Sequence, residues 1–147
     1  MRRSYGALID FSGRRSRLVS VIENRMKGYV DNIEKKTLQN ENYREVLYTG
    51  PNLQLVVMSL EPGDEIGEEI HAEHDQFIRF EEGEGQVILD GEPHRVGDGD
   101  AVIIPAGIKH NVVNASPEAR LKLYTIYAPP EHAPGTVHPR KRDSIEK

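Results

Sequence analysis

Five side chains of this sequence combine types and spacing that could hold a metal ion: His71, Glu73, His74 and Gln76 in one short stretch, and His110 further on. His110 lies within Gly99–Asn114, GDAVIIPAGIKHNVVN. There the apolar run Ala101–Ile104 meets a turn, Pro105-Ala106-Gly107, and a second apolar pair comes at Val112-Val113. That order predicts strand, tight turn, strand, with an imidazole opening the return strand. Residues two apart on a strand share a face, so His71 and Glu73 can converge. Gln76 shares a face with Ile78 and Phe80, whose apolar side chains mark the interior. Two imidazoles with oxygen donors suit Mn, Fe(II), Ni or Zn and leave positions for water or substrate. A Gln where a carboxylate would serve lowers the site's negative charge, which leaves the ion more electrophilic and less tightly held.

Other chemistries lack their residues. The chain has no Cys, so it carries no disulfide, zinc finger or thiol nucleophile. It has no G-x-S-x-G elbow, no P-loop and no G-x-G-x-x-G opening a helix. Gly97-Asp98-Gly99-Asp100 is acidic where a phosphate needs amides and a cation. His94 falls in a polar hairpin arm and is expected at the surface. His132 and His138 fall in a Pro-rich tail, which could bring one of them to the site only by strapping over it.

The surrounding pattern supplies a scaffold for these residues. Leu53–Leu60, LQLVVMSL, has the length and aliphatic content of a buried strand. Shorter strands are expected at Val46–Tyr48, Ile66–Ile70, Gln76–Glu81, Gln86–Leu89, His94–Val96 and Leu121–Tyr127. Turns separate them, and Asp90-Gly91 between two alternating runs is a strong hairpin signal. Short strands at this spacing, with no helix of about 10–15 residues between them, predict an all-β sandwich or barrel rather than a βαβ fold. Asp31–Tyr43 is expected to be irregular or one helical turn. In Leu121–Tyr127, Leu121, Leu123 and Thr125 are expected to face the core.

Charge is uneven along the 147 residues. The first 28 carry seven basic and two acidic side chains, whereas residues 61–100 carry fourteen acidic ones against Arg79 and Arg95. An acidic barrel repels phosphate backbones, so nucleic acid is not an expected partner. No apolar run approaches the roughly 20 residues of a membrane helix, so no membrane partner is expected either. Residues 1–25 are expected to be a disordered or non-native extension, with Met26 the natural start. Residues 26–128 form the barrel, and 129–147 an extended tail. Absence of Cys suits the cytoplasm.

The spacing Gly99-x5-Pro105-x-Gly107-x2-His110-x3-Asn114 resembles the second motif of the cupin family without gap or mismatch. Pro62–Gly85, PGDEIGEEIHAEHDQFIRFEEGEG, resembles the first motif, which runs from a Gly through H-x-H and a Glu to a Gly after a six-residue strand. Ile70–Phe77 and Pro129–His138 are similar to small single-domain bacterial cupins often labelled sugar (mannose-6-phosphate) isomerase-like. The resemblance implies a cupin-type double-stranded β-helix, or jelly-roll barrel, with a divalent metal inside. It places His71 in the first His position and Gln76 in the Glu position. Glu73 or its neighbour His74 then supplies the fourth ligand beside His110. Only two residues separate positions 73 and 76, one fewer than the usual minimum. The implied function is metal-dependent action on a small-molecule substrate, a sugar phosphate or oxo-acid, by isomerase, decarboxylase or dioxygenase chemistry. The alternative is a non-catalytic metal- or sugar-binding module. A homodimer is expected, with Val46–Tyr48 or Leu53–Leu60 as an unpaired edge.

Overall fold

The computed structural model describes residues 27–145; the N-terminal extension expected at 1–25 lies outside them. Among the described residues a seven-residue helix, α1 (Ile33–Gln39), precedes nine strands. These are β1 (Arg44–Thr49), β2 (Gln54–Leu60), β3 (Asp75–Glu82), β4 (Glu84–Leu89), β5 (Glu92–Gly97), β6 (Ala101–Ile104), β7 (His110–Asn114), β8 (Leu121–Ala128) and β9 (Val137–His138). Six form one sheet in the order β6-β3-β8-β2-β1-β9, and three form the other, β5-β4-β7. The named strand pairs are antiparallel. The architecture is all-β, as the turn spacing predicts, and takes the jelly-roll form that the resemblance implies.

Alternation of side chains puts one face of each sheet inside. Val56, Met58 and Leu60 of β2, Ile78 and Phe80 of β3, and Leu121 and Leu123 of β8 are all fully buried, and Val87 and Val112 meet them from the second sheet. Each such side chain contributes about 1.5–3 kcal/mol on burial. The β4–β5 hairpin turns at Asp90 and Gly91, both at positive φ (48° and 81°). Two such residues are what a two-residue turn matched to strand twist requires.

Three expectations give way. Asp31–Tyr43 contains a seven-residue helix rather than an irregular stretch or a single helical turn. Its apolar periodicity is weak because its stability comes from elsewhere: the Asn32 side chain caps Lys35 N–H at 2.9 Å, and Lys122 Nζ donates to the Leu38 carbonyl at 2.6 Å. Residues 66–70 are not a regular strand; only isolated bridges, Glu65 to Val113 and Glu69 to His110, tie this stretch to β7. β1 and β2 are not edges either. β2 lies between β1 and β8, and β9 covers β1, so the large sheet ends on β6 and β9.

The chain after β8 returns across the barrel. Gln54, fully buried, holds it: its Oε1 accepts from the backbone N–H of Glu131 (3.2 Å) and His132 (2.9 Å), and its Nε2 donates to the His132 carbonyl (2.7 Å). This clasp hangs residues 131 and 132 over the mouth of the barrel, and the pairing of β9 with β1 anchors the tail a few residues further on.

Candidate metal centre

His110 opens β7, and its backbone exchanges both hydrogen bonds with Glu69, each 2.9 Å. Residues paired in that way stand directly opposite, so their side chains share a face. The ladder continues where Gly107 N–H donates to the His71 carbonyl at 2.8 Å. His71, two residues past Glu69, therefore points the same way. Glu69 Oε2 lies 3.1 Å from His71 Nε2 and 3.9 Å from His110 Nε2. The His71 and His110 ring centroids are 5.2 Å apart. One ligand atom from each of Glu69, His71 and His110 lies within 4.8 Å of the others, a spacing that could hold one metal ion.

Two orphaned atoms indicate what these groups are arranged for. His110 is 4% exposed, and its Nδ1 meets the Ile108 carbonyl at 2.8 Å. A carbonyl only accepts, so in the neutral ring Nδ1 carries the proton and Nε2 the lone pair. That Nε2 is buried with no hydrogen-bond partner among the described residues. Gln76, also 4% exposed, repeats the pattern. Thr125 spends its hydroxyl proton on the Phe77 carbonyl (2.9 Å) and so accepts from Gln76 Nε2 (3.0 Å). The amide orientation is thereby set, and Gln76 Oε1 is left buried and unpartnered. Buried polar atoms without partners are rare and costly. Two of them, both lone-pair donors, fit a divalent ion with mixed nitrogen and oxygen ligands. Gln76 stands opposite Tyr127 in β8, and the Tyr127 ring packs edge-on against His71 at 5.8 Å.

The other candidates lie elsewhere. Glu73 is exposed and outside the cluster. His74 faces the tail: its Nε2 is 2.7 Å from Glu131 Oε2 and its Nδ1 is 2.7 Å from the Pro129 carbonyl. Glu131 also reaches toward His71, with Oε1 3.7 Å from Nδ1. His94 is exposed, as its hairpin position predicts.

Glu69 is the residue that sequence reasoning passed over, although a signal was present. Counted back from Gly83, six residues reach Gln76, four more reach His71, and one separates His71 from Glu69. In that register His71 takes the second His position of the first motif and Glu69 the first, with Gly63 five residues ahead. The apparent shortfall of one residue between 73 and 76 disappears.

Electrostatics follow the geometry. The hydrogen bond that its ring N–H donates to Glu69 raises the His71 pKa above its usual value, against the opposing effect of burial. Burial alone would raise the Glu69 carboxyl, but its contacts with His71 and His110 outweigh it and leave the group below the usual range. Burial pushes the Tyr127 phenol far up. His132, stacked edge-on against Tyr127 at 5.3 Å, is driven down to about 4, first by burial and then by the Arg44 charge.

The His132 shift has a consequence for stability. Between pH 6.5 and 4 the unfolded chain binds a proton that the folded chain refuses, so stability falls as pH falls through that window. One such group contributes a slope of at most about 1.4 kcal/mol per pH unit. In denaturant titrations between pH 7 and 4, His132→Phe should flatten this acid limb relative to wild type. An unchanged slope would contradict a neutral buried His132.

A cupin domain profile matches residues 56–127, from β2 through β8. The uncharacterized protein YrkC of Bacillus subtilis is 45% identical over 125 residues, covering 81% of this chain and 67% of that protein. An uncharacterized protein of Acanthamoeba polyphaga mimivirus is 42% identical over 128 residues, covering 84% and 79%. The crystal structure of BH2720 from Bacillus halodurans superposes with a TM-score of 0.77 at 45% identity, covering 80% of this chain and 93% of that one. The matched segment builds the barrel that holds His71, Gln76 and His110 together, and on these grounds the chain belongs to the cupin superfamily.

Proposed function

We propose that the protein is a metal-dependent cupin in which Glu69, His71 and His110 hold one divalent ion, with Gln76 Oε1 as a fourth donor. The observation that carries this reading is the unpartnered, buried His110 Nε2 beside the Glu69 and His71 ligand atoms. Mn, Fe, Ni and Zn all accept two imidazoles with oxygen ligands. Such an ion supplies Lewis-acid polarisation of a substrate oxygen.

The chain's own groups supply the rest. The Ile108 carbonyl fixes the tautomer of His110. At the mouth, the hydrogen-bonded pair His74 and Glu131 can hold and release a proton next to His71. This arrangement suits a small polar substrate, a sugar phosphate or an oxo-acid, in an isomerase, decarboxylase or dioxygenase reaction. A homodimer in the cytoplasm belongs to the same reading. Its support is that β6 ends the large sheet and leaves Ile103 68% exposed. The neutral Gln76 favours a second reading, a non-catalytic metal-binding module, because it adds no base to the site.

Metal titration of the Glu69→Gln and Glu73→Gln variants tests the ligand set. Glu69→Gln should weaken Mn, Ni or Zn binding by at least about tenfold, since a charged donor is lost. Glu73→Gln should bind as wild type does. The reverse pattern would move the fourth ligand back to Glu73, and metal binding by neither variant nor wild type would overturn the reading.

A further inference from the structure

Arg44 is a buried cation without an ion-pair partner among the described residues. It is 7% exposed, and no carboxylate lies within ion-pair distance of it among the described residues. Its Nη1 makes a long contact of 3.4 Å to His138 Nδ1, its guanidinium carbon stands 5.2 Å from the Tyr43 ring centroid, and its Nε has no partner. A guanidinium cannot shed its proton to escape burial, so burial without a counter-charge is expensive. Arg44 also lines a polar cavity of about 520 Å³ with Tyr43, Glu69, Glu131, His132 and His138. Three carboxylates share that cavity, and each is engaged already: Glu69 with His71, Glu131 with His74, and Asp143 with the backbone of Arg140. Arg44 acts on Glu69 only through space, helping to hold that carboxyl below its usual range, and has no carboxylate of its own within ion-pair distance among the described residues. The same cavity reaches Glu69, one wall of the candidate metal cluster.

We propose that this cavity binds a small oxyanion-bearing molecule, with its carboxylate or phosphate group on Arg44 and its remaining body directed toward Glu69. The placement of the body rests on the metal-centre reading above; the Arg44 subsite does not. A planar fork with one side free matches an oxyanion with two oxygens to offer. The volume admits a compact acid or a sugar-phosphate-sized ligand rather than a polymer.

Calorimetric titration of the full chain decides the matter, with the protein first stripped by chelator and then reloaded with nickel. The probes are succinate, inorganic phosphate and the neutral isostere succinamide. Succinate or phosphate should bind stripped wild type at least tenfold tighter than succinamide, and the tighter of the two identifies the anion type. Arg44→Gln should abolish that preference, and Arg44→Lys, which keeps charge but loses the fork, should reduce it at least threefold. If Arg44→Gln does not fold, Arg44→Lys decides alone: no loss overturns the proposal. Equal binding of succinate and succinamide also overturns it. So does anion binding that appears only in the nickel-loaded protein and ignores Arg44, an outcome that leaves the metal reading intact. Arg44-dependent binding by a protein that takes up no metal would sink the metal reading and keep this one.

Discussion

Replacing His110 with alanine should strip the protein of divalent metal while leaving the barrel folded. The imidazole enters the candidate cluster with its acceptor nitrogen on the side of the Glu69 carboxylate, because Nδ1 is committed to Ile108 O at 2.8 Å. Nothing else among the described residues can take its place; Gln76 Oε1 and the Glu69–His71 pair would remain as a weak partial site. Loss of a partner that merely orients a ligand costs about 10–100-fold in metal affinity. Loss of the ligand itself should therefore cost at least about 100-fold, read by calorimetry or by metal content after reloading. The cavity left behind and the freed carbonyl should lower stability by only about 1–3 kcal/mol, so circular dichroism should still report the native sheet. A variant that keeps wild-type metal content would remove His110 from the site.

A larger effect on the fold is expected at Gly83. Its φ is +96°, where a side chain is strained, and an added Cβ would stand 2.5 Å from the Arg120 carbonyl oxygen and 3.1 Å from Leu121 Cα. Both are backbone atoms at the entry to β8, the strand between β2 and β3. They cannot move aside without disturbing the pairing that buries Leu121 and Leu123. Backbone strain of this kind costs about 1–3 kcal/mol before the clash is counted. Gly83→Ala should thus destabilise by about 3 kcal/mol or more in a urea titration. By contrast, Gly91→Ala, where nothing lies within 4 Å, should lose no more than the strain of its own positive φ. Equal losses at the two positions would show that the contact with Arg120 is not what confines position 83 to glycine. The closing glycine of the first cupin motif thereby has a steric reason: β8 passes too near for any side chain.

Strand positions were legible because alternation and turn chemistry act locally. Gln76, Ile78 and Phe80 face inward, and Leu121, Leu123 and Thr125 do so in β8, as read from period two alone. What escaped was set by distant contacts. α1 is held by Lys122, eighty-four residues from the Leu38 carbonyl it bonds. β1 loses its edge to a two-residue strand from a tail whose composition argues against strands. The site was half legible. His110 sits in an unbroken motif, but counting the partner stretch from His71 as its first ligand position hides Glu69. The backbone pairing of Glu69 with His110 supports the register counted back from Gly83, in which Glu69 takes the first position.

The Gln54 clasp makes the tail a keyed joint rather than a loose flap. One amide reads two N–H groups and one carbonyl of consecutive residues, so only a particular phase of the chain fits it. Whichever two residues occupy that phase become the roof of the cavity, here Glu131 and His132. A single-residue insertion or deletion just before the joint would exchange the roof's chemistry without disturbing a core contact of the barrel. The strap is thus a place where a barrel of this kind can change its ligand while its candidate metal cluster and its fold stay as they are.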